Sequence, residues 1–472
     1  MRTKQRRIMA CLLALCLSLA MFLPTWTIAA QDEYDYIILP DGTAQIIWCL
    51  RAADNEVVIP DTLDGYPVSA IGSLAFWRCT NVTRVTIPHG VTNIEYGAFS
   101  WLADLEEVDI PTSIISIGAM AFAGTPWLSK QTDTFVVVGD GVLIAYNGSD
   151  THVVIPDGVT YISDVFRSNA SITSVILPKS VTCIGEAAFY DCNNLESVVM
   201  HGKVTDIEGH AFWNCVKLRE INIPSTIWGI GAEAFYANPW LDERSEDFLI
   251  LGNGILIKYN GAHESVIIPD GVKAIIGAFA GNTSVTSVMI PSSVTEIGYR
   301  SFDGCENLTS VQIPGGTMNI GPRAFYNCNG LQSVVIPKSV ASLGTESFDG
   351  CFYLDDIYFQ GKPPASDAFH TFCGDNAALI LHYPADLTTY WVPNGDPVWP
   401  DGNLAPYLRG NINENGTLHA GDAAKILRWL VRLETLTDHQ LFLADVNGDG
   451  KVTATDAAAI LRYLVRLISS FD

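Results

Sequence analysis

Positive charge is scarce in this chain. Lysine and arginine number 27 against 51 aspartates and glutamates, for a formal net charge of −24. So acidic a surface is repelled by nucleic acid and by anionic lipid, so neither is an expected partner. No long apolar run follows the first 30 residues, which excludes a membrane span in the mature chain. Catalytic signatures are missing as well. There is no HExxH, GxSxG, Walker loop or CxxC, and His263-Glu264 is followed by Ser265 and Val266, which is no metal-site pattern. Carboxylate pairs for glycoside hydrolysis leave no local motif, because their partners lie far apart in the chain. Low-complexity tracts are absent too.

At the start, residues 1–30 read as a secretory signal. Arg2, Lys4, Arg6 and Arg7 form a basic stretch, Ile8 to Leu23 an apolar one, and Ala29-Ala30 offers small residues for cleavage. The apolar run is short and no stop-transfer pattern follows, which argues against an anchor. Removing four basic residues takes the formal charge from −24 to −28. The remaining chain is long enough for a large core and a small second domain. Of eleven cysteines, Cys11 and Cys16 leave with the signal, and nine is an odd number for a disulfide framework.

Self-similarity at a fixed period dominates residues 61–360. Phenylalanines fall 23 apart at Phe76, Phe99 and Phe122, at Phe166, Phe189, Phe212 and Phe235, and at Phe279, Phe302, Phe325 and Phe348. Prolines keep step at Pro88, Pro111, Pro178, Pro224, Pro291, Pro314 and Pro337. Such a period, with one short β-run per unit such as Thr309 to Ile313, implies stacked coils that cover one another's open faces. Six cysteines stand three residues after a phenylalanine: Cys79, Cys192, Cys215, Cys305, Cys328 and Cys351. They read as a ladder of buried thiols acting as small apolar residues. Zinc needs ligands that converge on a point, whereas these run along a line. The unit V-x-x-I-G-x-x-A-F-x-x-C-x-x-L-x-x-V-x-I-P resembles the BspA-type leucine-rich-repeat family. The expected fold is therefore a β-rich leucine-rich-repeat solenoid of the α/β repeat class.

Two longer segments match each other 113 residues apart, TPWLSKQTDTFVVVGDGVLIAYNG from Thr125 and NPWLDERSEDFLILGNGILIKYNG from Asn238. They read as inserted hairpins (125–155 and 238–268) with two-residue turns at GDG and GNG, protruding from the coils. Residues 31–60 read as an N-terminal cap, and 361–407 as a C-terminal cap running into a short linker near Pro400 to Tyr407.

The outward strand positions form two columns. The first is small and polar, as at Ser174, Ser197, Ser287, Ser310 and Ser333. The second is apolar for an exposed row and gives a possible binding face: Ile176, Val199, Met289, Gln312, Val335 and Tyr358. β-branched residues that merely suit a strand account for the same column equally well.

Residues 408–472 carry a different signal. In DVNGDGKVTATD, oxygen-bearing side chains stand at loop positions 1, 3, 5, 9 and 12: Asp445, Asn447, Asp449, Thr453 and Asp456. Gly450 allows the sharp turn and Lys451 offers a backbone carbonyl. Short loops of this kind curl around a hard cation such as calcium. Thirty-four residues upstream, NINENGTLHAGD repeats the plan with Asn411, Asn413, Asn415, Thr417 and Asp422, and only Asp422 among these is charged. Each loop runs into an apolar helix pattern, AAKILRWLVRL or AAAILRYLVRL. The duplicated loop and helix resemble a type I dockerin, a small all-α calcium-binding domain. By that resemblance two calcium ions are expected, with the second loop tighter. The partner would be a cohesin module on a scaffold protein. The contacts would fall at Ala420, Gly421, Leu427 and Arg428 and at Ala454, Thr455, Leu461 and Arg462. The expected function is a secreted, scaffold-attached, non-catalytic protein whose solenoid binds a protein or glycan surface. A plant-polysaccharide-degrading subunit, as a glycoside hydrolase, and a structural spacer are the alternatives.

Overall fold

The computed structural model describes residues 29–30, 33–50, 55–77, 79–366, 379–393, 403–413, 417–448, 451–466 and 468. Two compact units are present, Pro24–Asn260 and Gly261–Asp472. Both contain leucine-rich-repeat coils, and the second also holds the duplicated C-terminal module. Apart from Ala29–Ala30, which pairs with the next strand, the segment expected to be a secretory signal lies outside the described residues.

Each coil supplies two strands rather than one. The outward-column residues form three- or four-residue strands such as Ser174–Leu177, Ser197–Met200 and Ser310–Gln312. Six to eight residues on, the V-T-x-I segment makes a second, two-residue strand, as at Asp206–Ile207 and Asn319–Ile320. All of these pair in parallel, with Ser174 opposite Ser197 and Asp206 opposite Gly229. A two-residue strand is too short to show alternation, so periodicity exposed only the longer one.

Between the strands runs the phenylalanine ladder. In the first unit, ring centroids stand 4.7 Å apart for Phe76 and Phe99, and 5.1 Å for both Phe166–Phe189 and Phe189–Phe212. In the second unit, Phe279, Phe302, Phe325 and Phe348 stack at 4.9 to 5.2 Å. The spacing follows from the distance between neighbouring strands, about 4.8 Å. Two residues before the ring the backbone enters the left-handed region, as at His210, Arg300 and Arg323. The N–H there reaches a carbonyl of the next coil, as from His210 to Ala232 at 2.9 Å.

The thiols also form a ladder. Each of Cys192, Cys215, Cys305, Cys328 and Cys351 donates to the carbonyl of the phenylalanine 26 residues before it, at 2.9 to 3.1 Å. All five are buried and free.

The two long segments do not protrude as hairpins. Phe135–Val138 and Val142–Tyr146 are antiparallel, but Val142–Tyr146 then pairs in parallel with Tyr161–Ile162 and buries Val142, Leu143 and Ile144. The hairpin thus takes the place of a coil. Its turn has three residues, Gly139-Asp140-Gly141, with a bulge beside it. Gly139 is required, because a Cβ there would lie 2.4 Å from the Ile114 carbonyl oxygen. Before each hairpin stands a four-residue helix, Pro126–Ser129 or Pro239–Asp242, with Thr125 or Asn238 as its cap. Trp127 and Trp240 on these helices continue the ring ladder from Phe122 and Phe235 at 4.7 and 4.9 Å.

In the second unit the expected linker is structural. Asn403–Tyr407 is a strand pairing in parallel with Ile380–Pro384, which follows Ser333–Ile336 and Asp356–Phe359 in one sheet. Pro406 is tolerated because this strand lies at the sheet edge. Trp391, fully buried, closes that end by donating to the Gly361 carbonyl at 3.1 Å.

Candidate functional site

The duplicated module has three helices, α1 (Ala420–Leu430), α2 (Asp438–Ala444) and α3 (Ala454–Leu464). Loop position 9 is the N-cap of α1 and α3, so each loop ends by starting a helix. His419 Nδ1 accepts from the Gly421 N–H at 3.1 Å, and Thr453 Oγ1 from the Thr455 N–H at 3.1 Å. Position 12 completes a capping box. Asp422 accepts from the His419 N–H, and Asp456 from the Thr453 N–H at 2.9 Å.

The other oxygen of each aspartate reaches back to the start of its loop. Asp422 Oδ1 accepts from the backbone and side chain of Asn413, both at 3.0 Å. Asp456 Oδ1 accepts from the Val446 N–H at 3.1 Å. Both carboxylates are fully buried at helix N-termini, where the helix dipole favours negative charge. One side chain therefore curls each loop upon itself. The donors are hard oxygens, Asp445, Asn447, Thr453 and Asp456 in one loop and Asn411, Asn413, Thr417 and Asp422 in the other, and this set fits calcium. Asn415, Asp449 and Gly450 lie outside the described residues. Among the described residues no three His, Cys, Asp or Glu groups form a metal cluster.

α1 packs on α3 through Ala423, Ile426, Ala457 and Ile460, with Ile412, Leu443, Ala444 and Val446 completing a small core. The duplication thus puts equivalent residues on two outward faces. Leu427 and Leu461 are 43% and 41% exposed, and Arg428 and Arg462 are exposed beside them. Ala420, Ala454 and Thr455 are exposed and Gly421 half-buried. Arg428 pairs with Glu434 at 2.8 Å. The apolar faces extend past the helix ends to Val431, Leu433 and Val465, all exposed. Sequence reasoning missed these three, although they belong to the repeated L-V-R-L motif.

On the solenoid, Ile176 and Val199 share one sheet of the first unit, with Ile176 exposed and Val199 half-buried. In the second unit Met289 and Gln312 are exposed neighbours, and Val335 and Tyr358 are half-buried neighbours in another sheet. Tyr358 is not a free surface position. His382 stacks on it at 4.3 Å, and Phe442 of α2 lies 4.7 Å from its ring. Three column members were overlooked: Val58, Val154 and Ile267, 61 to 68% exposed. Like Ile176, Met289 and Gln312, each stands two residues before a proline, so the proline register contained them.

Among the described residues, no helix is long and apolar enough to cross a membrane. The family model described as BspA type leucine rich repeat region matches six copies over residues 55–133, 145–242 and 258–370. A second model, dockerin type I domain, matches residues 409–465. None of the curated proteins matches the chain. Solved structures similar to it include a leucine rich cell surface protein from Faecalibacterium prausnitzii A2-165. Its identity is 25% over 79% of this chain and 98% of that one, with a TM-score of 0.34. Another is a leucine-rich repeat protein from Bacteroides ovatus ATCC 8483, 23% identical over 80% and 99%, with a TM-score of 0.29. The pneumococcal vaccine antigen PcpA is 14% identical over 81% and 98%, with a TM-score of 0.32.

Proposed function

Because this chain belongs to the BspA-type leucine-rich-repeat family and ends in a type I dockerin domain, we propose that it is a secreted, non-catalytic passenger of a cohesin-bearing scaffold. A dockerin type I domain implies cohesin docking of the cellulosome type, and leucine-rich repeats imply protein–protein interaction. Two calcium ions, one per loop, would hold α1 and α3 in the docking arrangement. The observation that carries this reading is the pair of exposed Leu-Arg faces on helices whose first turn each holds a buried loop aspartate. Leucine supplies apolar area and arginine a rigid fork for carboxylates or carbonyls on the partner. The solenoid would bind a protein or glycan through exposed apolar strand residues, Val58, Val154 and Ile176 in the first unit and, as a separate patch, Ile267 and Met289 in the second, whose apolar exposure supports an interaction surface.

The test is native gel electrophoresis of the full chain with a type I cohesin module, in calcium and in chelator. A complex that forms only in calcium is expected. A complex unaffected by chelator, or none in calcium, contradicts the proposal. The solenoid's part is tested by retention on cell-wall glycans and by capture of secreted proteins, with Met289→Asp and Ile267→Asp as controls. Retention unchanged by both substitutions would exclude the second unit's patch.

A further inference from the structure

The C-terminal module rests on the last solenoid coils of its own unit. Phe442 on α2 lies 4.7 Å from the Tyr358 ring and 5.0 Å from the Tyr407 ring, tilted against both. Tyr407 ends the last solenoid strand and donates its hydroxyl to the Phe359 carbonyl at 2.8 Å. α2 leads directly into the second loop, because its C-cap residue is Asp445, the first oxygen donor of that loop. Gln360, just after the strand bearing Tyr358, donates through Nε2 to Asp445 Oδ2 at 3.5 Å. Gly448, three residues into the loop at φ +68°, lies against the same coil. A Cβ there would stand 3.6 Å from the Lys338 side chain and 3.7 Å from the Gln360 amide oxygen. A cavity of about 10 Å³, the size of one water, lies between Gln360, Tyr407, Arg409, Phe442 and Asp445. The contact is thus aromatic at one end and polar at the other, and its polar end is the loop itself.

From this we infer that the second calcium loop is seated on the solenoid, and that calcium in this loop and the Phe442 contact strengthen each other. The inference rests on the calcium reading above. An ion that binds only the ordered loop gains from whatever orders the loop beforehand. Tyr358, Gln360 and Tyr407 are held by the solenoid sheet and supply that order from one side. Coupling of this kind is reciprocal, so calcium also secures the module on the solenoid. Within each loop the position-12 aspartate bonds back to position 3, Asn413 to Asp422 and Asn447 to Asp456, so the contacts of Asp445 and Gly448 with the solenoid come on top of bonds that both loops share. The seat therefore breaks the symmetry of the duplication. It leaves Leu427, Arg428, Leu461 and Arg462 exposed, so docking through one face or the other would point the solenoid in two different directions.

The experiment is calcium titration calorimetry on the full chain and on two solenoid-side variants, Tyr358→Ala and Gln360→Ala. X-ray scattering at saturating calcium accompanies each. For the unmodified chain two binding steps are expected. Tyr358→Ala should weaken the tighter step by about tenfold, the worth of one aromatic pair, and leave the weaker step unchanged. Gln360→Ala should act in the same direction and less. The radius of gyration of Tyr358→Ala should rise as the module comes loose. Both variants keep the dockerin sequence intact, and an unchanged thermal transition of the coils controls for folding. Two calcium steps that neither variant moves would overturn the seat and leave the calcium reading standing. The absence of any calcium step in the unmodified chain would overturn both.

Discussion

Phe212→Ala tests how the coils are held together. Phe212 is fully buried, with its centroid 5.1 Å from Phe189 and 5.5 Å from Phe235, and both pairs nearly parallel. Truncation removes the ring's transfer free energy and leaves a cavity between two rigid neighbours. The expected loss is ~3–5 kcal/mol. Each lost aromatic pair contributes about 0.5–1.5 kcal/mol within that sum. For a unit of this size, ~2–4 °C of melting temperature goes with each kcal/mol, so the transition should fall by roughly 6–20 °C. Because a coil contacts only its neighbours, hydrogen exchange should quicken most from Cys183 to Tyr236 and least near Tyr36. Calorimetry and exchange mass spectrometry read both quantities. An unchanged transition would show that Phe212 does not carry core packing, and exchange that rises evenly over the unit would refute nearest-neighbour stacking.

Further outcomes follow from the buried and charged groups. Burial pushes the Cys192 and Cys305 thiols up to about 12, so native protein should alkylate slowly and denatured protein should label at every solenoid cysteine. Mass spectrometry that found native disulfides among Cys192, Cys215, Cys305, Cys328 and Cys351 would reject the thiol ladder. Burial also raises the Asp164 and Glu186 carboxyls above their ordinary values of 3.8 and 4.5, so the folded state binds these protons more tightly than the unfolded chain does. That contribution is full below the ordinary carboxylate range and is lost as pH rises through the raised folded values. The first unit should therefore melt higher near pH 5 than near pH 7, and Glu186→Gln should lessen the difference; a melting point that rises toward pH 7 would refute this. With Asp445, Asp449 and Asp456 in the second loop against Asp422 alone in the first, the proposed calcium ion of the second loop should lead Asp445→Ala to destabilise the module more than Asn411→Ala. Equal losses in thermal melts would contradict that order.

Much of this fold was legible because its largest side chains repeat at one interval. Phe76 to Phe348 marked the coils, and the prolines marked the end of each longer strand. What escaped notice was short or non-local. Asn319–Ile320 and its equivalents have two residues each, too few for a pattern. The helices at Pro126 and Pro239 have four, although a Thr or Asn cap followed by proline is a recognisable start. Pro406 made a strand look like a linker. In the module, the spacing of oxygen donors named both loops, but nothing local tied Phe442 to Tyr358 or Gln360 to Asp445. Those contacts join residues distant in sequence, and only the folded chain brings them together.

Calorimetric titration of a type I cohesin module into the full chain at saturating calcium tests the docking function most directly. Leu427→Ala with Arg428→Ala should leave binding nearly intact, and Leu461→Ala with Arg462→Ala should weaken it more. The second face carries Thr455, whose hydroxyl has no counterpart at Gly421. All four substitutions together should abolish binding, as should chelator. Loss of all binding on changing either pair alone would contradict two docking faces, and full binding by the fourfold variant would contradict docking through these helices at all.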